Sequence, residues 1–321
     1  MRKIFLTISC LAFMACSAAL SFAKSYEGKK VLFVDSYHEG YEWSDSILRG
    51  VQGAFKDTGV DLKVVRMDTK RNGSEEFKKQ AGEKVKAEIE AFKPDVVIAS
   101  DDNASKYVIV PYYKDSPLPF VFCGVNWDAS MYGFPCSNVT GMLEVTEVDA
   151  LIKLLKGLAK GDRLGFIADD SETNRKEVEI YKKVFGIDPV TYYAKTFDDF
   201  KKDYTELQGK ADYLIFYGWS AISGWNPDEA AEFVLNNTKI PTGTFQVEVM
   251  PYAMVGYLKI GEEQGEWAAN AALKILDGAK PSDIPIAKNK KGNLILNAKI
   301  AEKAGVQLPY DLIQSASKVI E

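Results

Sequence analysis

Short, almost entirely apolar segments alternate with amphipathic helical patterns along nearly the whole chain. The apolar segments cover residues 30–35, 62–68, 95–100, 119–125, 163–168, 190–195, 213–217 and 240–245. Helical patterns lie between and after them, at residues 44–56, 74–92, 103–113, 147–158, 171–185, 197–208 and 227–236. Apolar strands separated by helices are typical of parallel βαβ units, in which helices cover both faces of the sheet. We therefore predict an α/β fold with parallel sheets.

The alternation divides into two winding units. The first ends near Val125, and the second begins near Thr146, after the segment NVTG that starts at Asn138. Beyond Phe245 the pattern changes to a strand at 252–259, a helix at 262–276 and a last strand at 294–296. No long flexible linker separates the units, so we predict two doubly wound αβα lobes joined by several short crossings.

Five strands run directly into clusters of aromatic, acidic and amide residues. The segments are VLFVDSYHEGYEW from Val31, VVIASDDNAS from Val96, FVFCGVNW from Phe120, GFIADDSETN from Gly165 and LIFYGWS from Leu214. The carboxyl ends of parallel strands lie along one edge of a sheet, and ligands bind in the crevice outside them. The clusters therefore predict a ligand-binding crevice.

The predicted site combines aromatic faces, carboxylates, amides and hydroxyls. Its candidate residues are Tyr37, His38, Trp43, Ser44, Asp101, Asp102, Asn103, Asn126, Trp127, Ser171, Glu172, Thr173, Asn174, Trp219, Ser220, Gln246 and Glu248. Rings can stack on an apolar group, carboxylates can pair with an ammonium, and helix starts present free N–H groups to a carboxylate. An α-amino acid matches this combination, although Ser44, Asp102 and Ser171 also suit the alternative role of helix N-caps.

Composition and motifs argue against several other classes of protein. The net charge of −5 disfavours nucleic acid as a partner, because such binding needs clustered Lys and Arg. His38 is the single histidine, and GWSAI from Gly218 departs from the G-x-S-x-G nucleophile elbow at its last position. The sequence has neither a P-loop nor a G-x-G-x-x-G fingerprint. We expect no enzymatic activity, no cofactor and no metal site.

The first 23 residues have the features of a cleaved export signal. A charged start at Arg2 and Lys3 precedes an apolar stretch that ends in the small-x-small sequence Ser-Phe-Ala. The alternative is a lipoprotein anchored at Cys16. We therefore predict a periplasmic or extracytoplasmic protein, in which Cys123 and Cys136 either form a disulfide or remain free thiols.

Further segments resemble the type I periplasmic binding proteins. They are FCGVN from Phe122 followed by NVTG from Asn138, YLKIG from Tyr257, ILDGAKPSDIP from Ile275, Asn297, and KAGV from Lys303. Within that group the chain resembles the substrate-binding proteins of ABC transporters whose known members bind tryptophan, tyrosine or phenylalanine. The resemblance covers nearly the whole chain after the signal.

The resemblance implies two lobes joined by a hinge of three crossings that close on a small ligand. It assigns residues 26–125 plus 247–279 to the N-terminal lobe and 126–246 plus 280–321 to the C-terminal lobe. The implied partner is an ABC permease, and we expect a monomer. The segment DSYHEGYEWS from Asp35 is instead similar to sensor domains of some histidine kinases. A ligand-sensing subunit for a sensor kinase or chemoreceptor is therefore the alternative.

Overall fold

The computed structural model describes residues 25–321 of the chain. The predicted signal peptide, with Cys10 and Cys16, lies outside the described residues. The described part contains two β-sheets with helices packed on their faces. We call each sheet together with the helices packed on it a lobe. The predicted α/β class with two parallel-rich sheets is confirmed.

The first sheet has six parallel strands, and the second has seven strands with a single antiparallel pair, β10 with β12. The order in the first sheet is β11 (Ala287–Lys288), β5 (Val139–Glu144), β4 (Phe120–Asn126), β3 (Val96–Ser100), β1 (Lys30–Asp35) and β2 (Asp61–Arg66). The order in the second is β13 (Lys318–Ile320), β12 (Gly292–Asn297), β10 (Val255–Lys259), β9 (Thr242–Thr244), β8 (Tyr213–Gly218), β6 (Leu164–Asp169) and β7 (Val190–Ala194).

Ten α-helices cover these sheets among residues 25–321. They are α1 (Glu42–Phe55), α2 (Glu75–Phe92), α3 (Asp101–Ala104), α4 (Val148–Leu158), α5 (Glu172–Phe185), α6 (Phe197–Lys210), α7 (Pro227–Asn237), α8 (Gly261–Leu276), α9 (Ala298–Ala304) and α10 (Tyr310–Ser315). Helix α3 continues as a π-helical segment, Ser105–Tyr113. Side-chain caps begin several helices: Ser74 accepts from the Phe77 N–H, and Asn226 caps α7 ahead of Pro227.

Sheet membership differs from the predicted lobe boundaries at three places. Strand β5 pairs with β4, so the chain leaves the first lobe after Glu144 and not near Asn126. Strand β10 belongs to the second sheet, and the short β11 returns to the first. The sequence analysis did not identify β5, which contains Gly141. A Cβ at Gly141 would lie 2.3 Å from the Phe122 ring, so the close packing of the strands requires this glycine.

The chain passes between the lobes at residues 145–147, 260 and 289–291, and side chains tie these crossings together. Asn289 joins the first crossing to the third, because its amide accepts from the Val145 N–H at 2.7 Å and donates to the Val145 carbonyl at 3.0 Å. The buried Glu263 of α8 accepts from the backbone N–H groups of Lys290 and Lys291.

Helix α8 lies directly against α1, which brings a late segment of the chain back to the first lobe. The backbones approach so closely that a Cβ at Gly265 would lie 1.9 Å from the Ile47 carbonyl oxygen. A Cβ at Gly50 would lie 2.2 Å from the Glu262 carbonyl oxygen. Alanines of α8 complete the buried cluster formed by α1 and one face of the first sheet. Glycine at these two positions therefore permits the helix pair.

Cys123 and Cys136 are both free thiols. The disulfide alternative fails because the two side chains lie on opposite faces of the first sheet. Cys123 is fully buried among the residues that pack against α1 and α8, whereas Cys136 packs against the cluster on the other face. Burial raises the pKa of the Cys123 thiol well above its usual range.

Candidate ligand-binding cleft

A cavity of about 790 Å³ lies between the lobes and is lined from both sides. The first lobe contributes Tyr37, Tyr41, Glu42, Trp43, Ser46, Lys70, Asp101, Asn126, Glu144, Gly261 and Glu262. The second contributes Phe245, Gln246, Val247, Glu248, Leu258, Lys259, Asn293 and Ile295, and Ile260 of the second crossing completes the lining. The volume is in the range of small-molecule sites, which usually hold a few directed polar groups among apolar ones.

Three aromatic side chains form one wall of the cleft. Tyr37 follows β1, and its ring meets that of Tyr41 edge to face, with centroids 5.3 Å apart. Trp43 lies in the first turn of α1, and the ammonium of Lys259 is 5.5 Å from its ring centroid. The ammonium of Lys70 lies 5.3 Å from the Tyr37 centroid and 5.0 Å from the Tyr41 centroid. This wall therefore offers flat apolar faces with cations beside them.

Asp101 is a buried carboxylate that lines the same cleft. It follows β3 immediately, is 2% exposed, and adopts a left-handed backbone conformation with φ of 69°. The Ser100 hydroxyl donates to its carboxylate at 3.1 Å, and no cationic side chain of residues 25–321 forms an ion pair with it. Burial, together with the nearby Glu144 and Asp102, raises the pKa of Asp101 well above its usual range. A strained, desolvated carboxylate is typical of a functional site.

Asp35 is a second buried acid, and it organises the aromatic wall. Its carboxylate accepts from the Ser44 hydroxyl and from the Tyr37 N–H, both at 2.8 Å. Arg66 lies 3.5 Å from its other oxygen. Burial raises the pKa of Asp35, opposed by the bonds from Tyr37 and Ser44. These contacts fix the segment that carries Tyr37 and the start of α1.

An ion pair between Glu144 and Lys259 connects the ends of β5 and β10, and therefore the two lobes. The Glu144 side chain is 8% exposed and that of Lys259 is 24% exposed. Both belong to the cleft lining. Sequence analysis missed the pair because it did not identify β5, and because Lys259 was noted only as part of a family segment.

Replacing Lys259 with methionine should lower the free energy of unfolding by about 2 kcal/mol, because the buried Glu144 carboxylate would lose its counter-charge. The double variant Glu144→Gln/Lys259→Met should recover most of that loss, since it removes both charges. Urea denaturation of the two variants and the wild type measures this. A Lys259→Met variant as stable as the wild type would show that the pair contributes nothing.

Trp127 reaches from the first lobe to the second. Its backbone follows β4 with φ of 56°, and its N–H donates to the Glu144 carbonyl at 2.9 Å. The ring packs against the core of the second lobe, with its centroid 6.3 Å from that of Phe185 and the two ring planes 71° apart. Glu177 of α5, which sequence analysis did not identify, lies close to Trp127 and Tyr217. One of its oxygens is buried without a hydrogen bond among the described residues, and burial raises its pKa.

The structure brings six of the predicted site residues to the cleft lining. They are Tyr37, Trp43, Asp101, Asn126, Gln246 and Glu248. Four other candidates lie beside this set and contact protein groups instead. Ser44 bonds Asp35, Asp102 accepts from Asn126 and the Tyr132 hydroxyl at 2.8 Å each, Asn103 donates to Thr69, and the His38 ring nitrogen is 3.7 Å from Asp68.

Apart from Trp127, described above, the remaining predicted residues lie in the second lobe. At the start of α5, Ser171 accepts from the Asn174 N–H as an N-cap, and Asn174 donates to Asp169. Glu172 and Thr173 are exposed. Trp219 stacks on Trp225 with centroids 5.2 Å apart and planes 11° apart, and Ser220 beside it is exposed. None of these residues contributes to the cavity lining.

Comparison with known proteins establishes the family. Residues 40–320 match the family described as ABC transporter substrate binding protein, and the chain belongs to this family. A tyrosine-binding protein from Clostridioides difficile is 26% identical over an alignment of 173 residues, and the alignment covers 51% of this chain and 48% of that protein. The match thus spans about half of the length of this curated relative.

Solved structures share the fold. A substrate binding protein with adhesive properties from Clostridium difficile, in a ligand-free, open structure, has a TM-score of 0.72 at 21% identity. An ABC domain from Streptococcus pneumonia in complex with L-Trp has a TM-score of 0.56 at 20% identity. Each likeness covers 91% of this chain and 99% of the other. The predicted type I periplasmic binding protein fold is confirmed.

Residues 25–321 contain no group of three or more His, Cys, Asp or Glu side chains placed to hold a metal ion. No helix within the same residues has the length and apolar character needed to cross a membrane.

Proposed function

We propose that the protein encloses one small amino acid, aromatic or closely related, between its lobes and delivers it to an ABC permease. The observation that carries the proposal is the cavity between the lobes. Its aromatic wall, in the first lobe, combines three aromatic rings with the buried carboxylate of Asp101. A ring of the ligand would stack on Tyr37 or Trp43, and its ammonium would replace the missing counter-charge of Asp101. The tyrosine-binding relative and the L-Trp complex support this ligand class.

Binding would proceed in two steps. The ligand first meets the wall of the first lobe, where most of the polar groups lie. Residues 245–248 of the second lobe, which lead into a 3-10 helix, then close over it. Rotation about the three crossings brings the lobes together, and the ligand stabilises the closed form because it contacts both walls. The closed form would dock on the permease outside the cytoplasm, as a monomer.

A thermal-shift screen tests the ligand class. The protein, unfolded and refolded to remove carried ligand, is screened against amino acids, aromatic acids, purines, amines and sugars. A ligand that binds only the folded form stabilises it by about 2.7 kcal/mol at 100 times its Kd. We expect tyrosine, tryptophan or phenylalanine to raise the Tm, and the rise to disappear in Trp43→Ala. A rise with sugars or purines alone would contradict the proposal.

Delivery needs a separate test in cells. Uptake of the labelled amino acid identified by the screen should fall when the gene for this protein is deleted, and expression of the wild-type protein should restore it. A variant that folds but does not bind should fail to restore uptake. Unchanged uptake in the deletion strain would contradict delivery while leaving the binding result intact.

A further inference from the structure

The two lysines of the cleft have different surroundings. Lys259 is neutralised by Glu144. Lys70 forms no ion pair with any carboxylate of residues 25–321 and lies above the rings of Tyr37 and Tyr41. A cation held at an exposed site only by ring faces is weakly bound, and is therefore available to an anionic group of a ligand.

The acidic group that complements Lys70 lies on the same wall. Asp101 is buried there without a cationic partner among the described residues. Tyr37 is next to both groups. Lys70 lies over its ring. The pKa of its hydroxyl is raised mainly by burial and, in second place, by the nearby Asp101. Tyr37 thus lies beside a lysine without a carboxylate partner and beside a buried acid without a cationic partner among the described residues.

The remaining carboxylates of the cleft lining have other surroundings. Glu42 and Glu262 share one cation, because Arg49 pairs with them at 2.6 Å and 2.7 Å, so the two acids together keep one net negative charge. Glu248 lies on the opposite wall and is exposed to solvent. On the aromatic wall, Lys70 is therefore the cation without a carboxylate partner, and Asp101 is the buried acid without a cationic partner among the described residues. A zwitterion has one charged group to match each of them, whereas a simple amine has only one.

We propose that Lys70 binds the α-carboxylate of the ligand while Asp101 binds its ammonium, so that Lys70 selects amino acids over the corresponding amines. This inference rests on the proposed function, because it concerns the same cleft and ligand class. Lys70 swings from the ring faces to the carboxylate, and the rings it leaves become free to stack on the ligand.

The competing role for Lys70 is an ion pair with Glu248 across the closed cleft. The two residues line opposite walls, and Glu248 has no cationic partner among the described residues. Such a pair would stabilise the closed form with any ligand, and would therefore not distinguish an amino acid from its amine.

Calorimetric titration with matched ligands separates these roles. Wild type, Lys70→Met and Lys70→Arg are titrated with L-tyrosine and tyramine, and with L-tryptophan and tryptamine. We expect the wild type to prefer each amino acid by about ten- to a hundredfold, as for a charge-assisted hydrogen bond. Lys70→Met should lose that preference through weaker binding of the amino acid alone, and Lys70→Arg should retain it. Lys153→Met, on the exposed surface of α4, is the control and should behave as wild type.

Equal weakening of amino acid and amine in Lys70→Met would overturn the inference in favour of the Glu248 ion pair. Unchanged amino-acid binding in Lys70→Met would also overturn it. In both cases the proposed function stands, since the wild type still binds amino acids. A wild type that binds none of the four compounds would instead refute the proposed ligand class, and this inference with it.

Discussion

Asp101→Asn should weaken amino-acid binding by about ten- to a hundredfold, because a neutral amide replaces the carboxylate that accepts the ligand ammonium. The side chain keeps its size, so the fold and the aromatic wall should be unchanged. Calorimetric titration with the ligand found in the thermal-shift screen measures the loss. The matched control is Asp128→Asn, an exposed acid outside the cavity lining that contacts Ser130, and it should bind as wild type.

The same variant should be more stable than the wild type near neutral pH. Burial raises the folded pKa of Asp101, so the charged form is less favourable in the folded than in the unfolded protein. Wild-type stability is therefore lost as the pH rises from the unfolded value of about 3.9 through the folded pKa. The Tm of Asp101→Asn should therefore exceed that of the wild type most at pH values above the folded pKa, and the difference should vanish near pH 4. Asp101→Asn would contradict the role of Asp101 in binding the ammonium if it bound the amino acid as the wild type does. A Tm difference that grows as the pH falls would also contradict the account of Asp101.

Gly265→Ala should lower the free energy of unfolding by about 3 kcal/mol. The added Cβ would overlap the Ile47 carbonyl oxygen, and relief requires α8 to move away from α1. Helix α8 directly follows the second crossing and lines the cleft with Gly261 and Glu262, so ligand binding should weaken as well. Urea denaturation and titration of the same preparation measure both effects.

Gly53→Ala is the control for this prediction. Gly53 lies in α1, is exposed, and a Cβ there would have no atom within 4 Å. Alanine in a helix should therefore raise stability by up to about 1 kcal/mol. A Gly265→Ala variant as stable as Gly53→Ala would show that α1 and α8 are not packed at backbone contact.

Much of the architecture could be predicted from the sequence because apolar strands and amphipathic helices have distinct periods. Strand β1 has the predicted bounds, and the core helices begin and end within three residues of their predictions. Strand β5 was missed, and its Gly141 is required by close packing with Phe122, which no local pattern reveals. That omission displaced the first crossing and hid Glu144.

The candidate site was predictable only in part. Strand ends indicate which edge of a sheet a residue occupies, and this placed Tyr37 and Asp101 in the cleft. They do not show whether a side chain turns towards the cleft or packs on a neighbouring side chain. Trp219, for example, stacks on Trp225. Lys70 lies in a loop beyond β2 with no motif around it, so only the folded chain shows it above two tyrosine rings.

Small-angle X-ray scattering with and without ligand tests the central claim, closure of two lobes on a small molecule, most directly. The wild type is measured alone and with the amino acid found in the screen, at a concentration that saturates the wild type but not Asp101→Asn. The Asp101→Asn variant is measured alone and at the same ligand concentration. We expect the radius of gyration of the wild type to fall on ligand addition and that of the variant to stay constant. A wild type that binds the amino acid with no change in its scattering would contradict the account.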